Sequence, residues 1–306
     1  MIPNKIKKGD LIGVVAPSNP IIGENIEEIN NAKEIVQKDG FLVKFSKNLF
    51  ENTNQYSNSP IKKAQDINDM FANENIKMIW CAKGGQNSNT TFDYLDFDLI
   101  QKNPKIICGY SDITSLTNII YAKTGLVTFS GTNFKTIATA ETNYAYEQAK
   151  KIFVEGEKVL GNDEDKYITI KQGTATGILV GGNLSLIRGL VLGKYSLDFT
   201  DKILFIEELG LETPPALASN YLYYMKQNGV FNKIKGLWIG NYENEEGISL
   251  EKIVLDTIGD EYNFPIIKSN NFGHIEKNTV IPIGVKAQID TSEKIKIKLL
   301  ENCIKL

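Results

Sequence analysis

Three short stretches of this sequence collect the residue types needed for acyl transfer. IICGYSDITSL (106–116) breaks an apolar run at Gly109 and presents Tyr110, Ser111 and Asp112 where a helix is expected to begin. KILFIEELG (202–210) ends a mostly apolar run on Glu207 and Glu208, and SNNFGHIEKN (269–278) contains His274, the only histidine of the chain. A serine hydroxyl becomes a useful nucleophile when a neighbouring base takes its proton, and imidazole suits that role because its pKa lies near neutrality. A carboxylate behind the imidazole would fix its tautomer and stabilise it when charged. Each residue also has a plainer reading: Ser111 and Asp112 as N-cap residues, His274 as an incidental loop residue, and the two glutamates as a solvated strand end. Nor is the GxSxG elbow pattern met, because Ile113 stands two residues after Ser111.

The elements that would position these residues follow from periodicity. LIGVVA (11–16), FLVKFS (41–46), IKMIWCA (76–82), KIICG (105–109) and LVTFS (126–130) are short apolar runs ending at turn residues, and helical spacing occupies about 24–38, 60–73, 88–101 and 112–123. Strands alternating with helices predict βαβ units and a parallel sheet. A helix over about 140–154 closes this part, and the polar stretch after it carries the chain onward. The second half is read as mixed α/β, with strands at 174–180, 202–206, 236–240 and 264–268, helices at 215–227 and 249–258, and a final hairpin in VKAQIDTSEKIKIKLL. We therefore expect two domains, residues 1–160 carrying Ser111 and residues 170–306 carrying the glutamates and His274. CAKGGQNSN (81–89) and CGYSDI (108–113) would both lie at the carboxyl ends of buried strands, where open α/β sheets form their ligand crevice. Glycines there let backbone N–H groups face a ligand, which is how an oxyanion hole is built.

The bulk properties narrow the partners. With 306 residues, a formal net charge of −3, 42% hydrophobic and 23% charged residues, nothing electrostatic argues for nucleic acid or an anionic membrane. Cys81, Cys108 and Cys303 are an odd set without paired spacing, and we read them as reduced core residues of a cytoplasmic protein. The lysine-bearing start followed by LIGVVA imitates a signal peptide, but the apolar run is short and Pro17 follows, so a first strand is expected. GGQNSN is neither GxGxxG nor a P-loop, which leaves a nucleotide-dependent enzyme without support.

GGQNSN, CGYSDIT, GGNLSLI, ILFIEELG and FGH, in that order and spacing, resemble the serine peptidases of the L,D-carboxypeptidase family S66, which includes the microcin C immunity peptidases. The resemblance runs from about Gly9 to Gly284. It implies a flavodoxin- or glutamine-amidotransferase-like N-terminal domain, a swivelling β-rich C-terminal domain, a homodimer, and no metal or cofactor. It implies a Ser111–Glu207–His274 triad, with Glu207 rather than Glu208 as its carboxylate, and oxyanion donors in the amides of Gly85 and Asp112. Murein-recycling members carry Gly-Gly-Tyr-Gly and then an arginine in the first loop. Here Gln86, Asn87, Ser88 and Asn89 follow Gly84-Gly85, which resembles the immunity branch, whose members cleave the amide between an aminoacyl or peptidyl part and a nucleotide-like part. On that reading these four residues bind substrate; equally, Asn87–Asn89 read as caps for the next helix, and Asn183 as structural. The immunity branch stacks a mobile-loop tryptophan on adenine, whereas Trp80 and Trp238 fall in strands here and 155–173 offers only Tyr167. Cleavage of a murein tetrapeptide is the alternative reading. A non-catalytic peptide-binding protein on the same scaffold is another, weighed against by the presence of all three triad positions.

Overall fold

Runs of Ile, Val, Leu and Phe bounded by Gly, Pro and Asn become the strands of two sheets in this computed structural model, which describes residues 1–158, 160 and 166–306. The first half runs β1 (Leu11–Val15), α1 (Glu24–Lys38), β2 (Leu42–Phe45), α2 (Pro60–Ala72), β3 (Ile76–Cys81), α3 (Phe97–Lys102), β4 (Ile106–Gly109), α4 (Ile113–Thr124), β5 (Thr128–Ser130), α5 (Thr136–Thr139) and α6 (Tyr144–Lys150). The second continues with β6 (Tyr167–Lys171), β7 (Thr174–Asn183), α7 (Leu184–Arg188), β8 (Lys202–Glu207), α8 (Pro215–Gln227), α9 (Val230–Lys233), β9 (Gly236–Ile239) and α10 (Leu250–Ile258). It ends with β10 (Ile266–Ser269), β11 (Ile281–Ile283), β12 (Lys286–Asp290) and β13 (Ile297–Leu299).

The first sheet has the order β11-β5-β4-β3-β1-β2, with β1 to β5 parallel as the alternation predicts and in the flavodoxin-like order that the family resemblance implies. Its central strands β3 and β4 are almost wholly buried, as a parallel sheet covered on both faces requires, whereas edge strand β2 alternates between exposed and half-buried positions. The second sheet has the order β13-β12-β7-β8-β9-β10-β6, parallel from β7 to β10 and antiparallel at both flanks. The expected final hairpin is present as β12 and β13, Ala287 facing Leu299.

Several expectations need correction. The single helix expected over 88–101 is a 3₁₀ segment, Ser88–Tyr94, followed by α3, because the Asp96 side chain accepts the Leu99 N–H at 2.9 Å and starts a new helix. The helix of 140–154 is α6 followed by a π-turn, Lys151–Glu155, which Gly156 ends in a left-handed conformation. β6, read as polar linker, is an edge strand with mostly half-exposed side chains, so no apolar alternation announced it. Finally, β11, far along the second half, leaves the second sheet and pairs antiparallel with β5 of the first. The loop carrying His274 thus spans from β10 in one sheet to β11 in the other.

Helix α4 joins the two halves. Its residues are buried almost throughout, and Asn118 exchanges two hydrogen bonds with the backbone of Gly181 on β7, at 2.8 and 3.2 Å. The Thr114 hydroxyl accepts the Asn183 N–H at 3.0 Å. A Cβ at Gly182 would lie 2.4 Å from the Thr114 Oγ1, so the GGN motif lets helix and strand approach this closely.

Candidate active site

β4 is buried and stops at Gly109, and the chain must turn sharply to enter α4. Ser111 takes the turn at φ 64, a left-handed conformation that costs a non-glycine residue about 1–3 kcal/mol. This is a nucleophile elbow in geometry without its full sequence pattern. Ser111 does not cap α4 with its side chain; its carbonyl accepts the Thr114 N–H at 2.9 Å, while its Oγ lies 3.1 Å from the His274 Nε2.

The loop after β3 lies against this elbow. Gly85 has φ 146, and a Cβ there would fall 2.2 Å from the Asn19 Cγ, so only glycine fits. The Gln86 N–H donates to the Asn19 Oδ1 at 3.3 Å, whereas the amides of Gly85 and Asp112 donate to no protein acceptor among the described residues. Asp112 is fully buried; its carboxylate accepts from the Ser18 hydroxyl and from the Ser88 N–H at 2.7 Å, and the Ser88 hydroxyl donates to the Asp112 carbonyl at 2.7 Å. Lys63, also buried, donates to the Asn87 carbonyl at 3.0 Å and Oδ1 at 2.8 Å. Burial pulls the Lys63 ammonium down to about 8, against the attraction of Asp112.

These contacts show where the structure places the expected binding residues. Gln86 lines the cavity beside Ser111. Asn87 and Ser88, expected to bind substrate, are held by Lys63 and Asp112 and do not line it; neither does the exposed Asn89. Short polar side chains at a buried loop satisfy backbone and charge first, a demand invisible in the sequence.

Glu207 and His274 come from the second sheet and from the loop between sheets. Glu207 ends β8, and its Oε2 lies 2.7 Å from the His274 Nδ1 and accepts the His274 N–H at 3.2 Å. Burial lowers the imidazole pKa, but the adjacent Glu207 carboxylate, joined by Glu208 and Glu212, outweighs it and leaves His274 above the ordinary value. The Tyr110 ring packs edge-on against the imidazole, with centroids 5.2 Å apart. Phe272, two residues before His274, anchors the loop against Trp238 and Phe205. Glu208, the residue after β8, makes no hydrogen bond to His274. It accepts from the Asn183 Nδ2 at 2.7 Å and from the Ser185 and Leu209 amides, while burial and then the neighbouring Glu207 raise its pKa. Such a chain of hydrogen bonds from hydroxyl to imidazole to carboxylate can move a hydroxyl proton onto the ring, with two free amides beside the hydroxyl to meet an oxyanion.

The same motifs are matched by family models: an LD-carboxypeptidase N-terminal domain over residues 12–131 and an LD-carboxypeptidase C-terminal domain over 176–289. The chain belongs to the LD-carboxypeptidase family. It is a peptidase by that membership. It is 31% identical to a probable murein peptide carboxypeptidase of Bacillus subtilis, over 95% of this chain and 92% of that one. It is 29% identical to the microcin C7 self-immunity protein MccF of Escherichia coli, over 94% and 92%. Among solved structures, an MccF-like protein from Bacillus anthracis superposes with a TM-score of 0.89 at 32% identity, covering 99% of each chain. MccF in complex with glutamyl sulfamoyl guanosine superposes at 0.90 and 26%, again over 99% of each.

In this family member the site opens into a cavity of about 800 Å³, walled by Asn19, Gly85, Gln86 and Ser111 from the first half and by Asn183, Arg188, Glu208 and Tyr221, among others, from the second. Sequence reasoning missed Arg188, Tyr221 and Asn19. The signal for Arg188 was available: it is the only arginine of the chain and directly follows GGNLSLI. Trp80 and Trp238 are core residues whose indole N–H groups bond the Thr132 carbonyl and the Ser269 hydroxyl, both at 2.7 Å. Tyr167 lies on β6 and donates to the Leu160 carbonyl at 2.7 Å. Part of the 155–173 segment, residues 159 and 161–165, lies outside the described residues. No helix among the described residues is long and apolar enough to cross a membrane.

Proposed function

We propose that this peptidase hydrolyses an amide bond with Ser111 as nucleophile, His274 as general base and then acid, and Glu207 as the carboxylate that orients and stabilises the imidazole. The reading rests on one observation above all, the unbroken path Ser111 Oγ, His274 Nε2, His274 Nδ1, Glu207 Oε2 with steps of 3.1 and 2.7 Å. Ser111 Oγ bonds to the substrate carbonyl carbon as its proton passes to His274, and the resulting oxyanion is met by the Gly85 and Asp112 amides. His274 returns the proton to the leaving nitrogen as the C–N bond breaks, and water repeats the sequence on the acyl-serine.

For the substrate, the proposal is an aminoacyl or peptidyl-nucleotide carboxamide, cleaved as in microcin C immunity, by a cytoplasmic homodimer. Support comes from the first loop, Gly-Gly-Gln-Asn-Ser-Asn, and from the close superposition on MccF, itself solved with glutamyl sulfamoyl guanosine. A murein L,D-tetrapeptide is the second reading, favoured by Arg188 in the cavity wall, an arginine that the first loop lacks, and by the B. subtilis relative. Mass spectrometry of the two compounds incubated with the protein, each with a Ser111→Ala control, separates them. Cleavage of the sulfamoyl-adenosine compound alone supports the immunity reading, cleavage of the tetrapeptide alone overturns it, and unchanged cleavage by Ser111→Ala removes the triad assignment.

A further inference from the structure

An arginine beside an active-site cavity normally answers to a carboxylate of the protein or of a ligand. Arg188, at the end of α7, has no such protein partner. None of the ion pairs and side-chain hydrogen bonds among the described residues involves its guanidinium, and its Nε–H is buried without an acceptor. Glu208 and Glu212 line the same cavity, yet neither pairs with it: Glu208 accepts from Asn183, Ser185 and Leu209. What holds the guanidinium is aromatic. It lies over the Tyr221 ring at 4.5 Å and near the Tyr224 ring at 5.8 Å, both on α8. The ring contacts hold the guanidinium while leaving its donors unspent, the arrangement expected of a preorganised receptor. In a chain with 34 lysines and arginines together, the one arginine lines this cavity, as does the chain's one histidine.

We propose that Arg188, held by Tyr221 and Tyr224, is the specificity residue that seats a free carboxylate of the substrate. The inference builds on the proposed amide hydrolysis by narrowing its substrates to those bearing a carboxylate within reach of the scissile bond. Two sources supply that chemistry: the α-carboxylate of a terminal residue about to be released, or the acidic side chain of an aminoacyl group. The carboxylate of either would take up donors that the protein leaves unpaired, so an amide in its place would forfeit a charge-assisted hydrogen bond and leave the half-buried guanidinium unmatched.

The test uses Ser111→Ala protein, in which turnover is stopped, and measures binding calorimetrically for two matched pairs: a murein L,D-tetrapeptide against its C-terminal carboxamide, and glutamyl against glutaminyl sulfamoyl adenosine. One carboxylate member is expected to bind roughly 10- to 100-fold more tightly than its amide partner, and the pair that shows this names the source. The preference should vanish in Ser111→Ala/Arg188→Gln and be partly kept in Ser111→Ala/Arg188→Lys. With Ser111 present, Arg188→Gln should still be labelled at Ser111 by a fluorophosphonate at the wild-type rate, which shows a folded, assembled site. Equal affinity for both members of both pairs, or a preference that survives Arg188→Gln, overturns the proposal. Carboxylate-selective binding by a wild-type protein that hydrolyses none of the four compounds would sustain Arg188 and instead overturn the hydrolysis.

Discussion

The two sides of the site are built differently. On the serine side, consecutive parallel strands end in tight turns, and Gly85, Ser88, Ser111 and Asp112 are set by contacts between neighbouring loops of one sheet. On the histidine side, Glu207 ends a strand of the second sheet while His274 lies 67 residues later in a loop running from the second sheet to the first. The first side is a local construction, buried and cross-braced. The second depends on how two sheets dock, and α4, which carries the elbow and bonds β7 through Asn118, is the piece that ties one side to the other. A site divided in this way has its serine set by local turns and its histidine placed by long-range packing.

The largest effect expected from breaking either side is the same. Ser111→Ala and His274→Ala should each lower kcat by about 10⁴-fold or more, and the double variant by little beyond that, because the pair acts as a unit. Additive losses in measured turnover would mean that the two do not share a step. Glu207→Gln should cost about 10²- to 10⁴-fold and also shift the pH profile. With His274 as the proposed base, kcat/KM should rise with pH through an acid limb above the ordinary histidine value, since Glu207 raises that pKa. Removing that charge leaves burial opposed only by the weaker pull of Glu208 and Glu212, and the limb should move to lower pH; a limb that stays in place would assign it to another group.

Phe272→Ala sharpens the comparison on the histidine side. Loss of a buried ring on Trp238 and Phe205 should destabilise the protein by about 3–5 kcal/mol in urea unfolding and lower kcat more than KM as His274 loosens. The smallest effect belongs to the serine side. Lys63→Met removes the ammonium that holds Asn87 and is expected to lower kcat by about tenfold, the scale of one charge-assisted hydrogen bond. Fluorophosphonate labelling of Ser111 should slow in parallel; unchanged labelling would show that the oxyanion loop stands without Lys63.

Periodicity and turn chemistry, read within windows of ten to fifteen residues, determined β1 to β5, the parallel sheet, the final hairpin and the placing of Ser111 at a strand-to-helix turn, because those signals are local. The pattern of motifs determined the family and singled out Glu207 over Glu208, and the two take different partners, His274 and the Asn183–Ser185 turn. Only the tertiary structure decided that the Ser111 hydroxyl faces an imidazole rather than the helix it precedes, across 163 residues of chain. It also decided that β11 crosses to the first sheet, that Asn87 and Ser88 serve Lys63 and Asp112, and that the one arginine lines the cavity unpaired. Each of these depends on which buried polar group finds which partner once distant segments pack, and no stretch of sequence contains both partners.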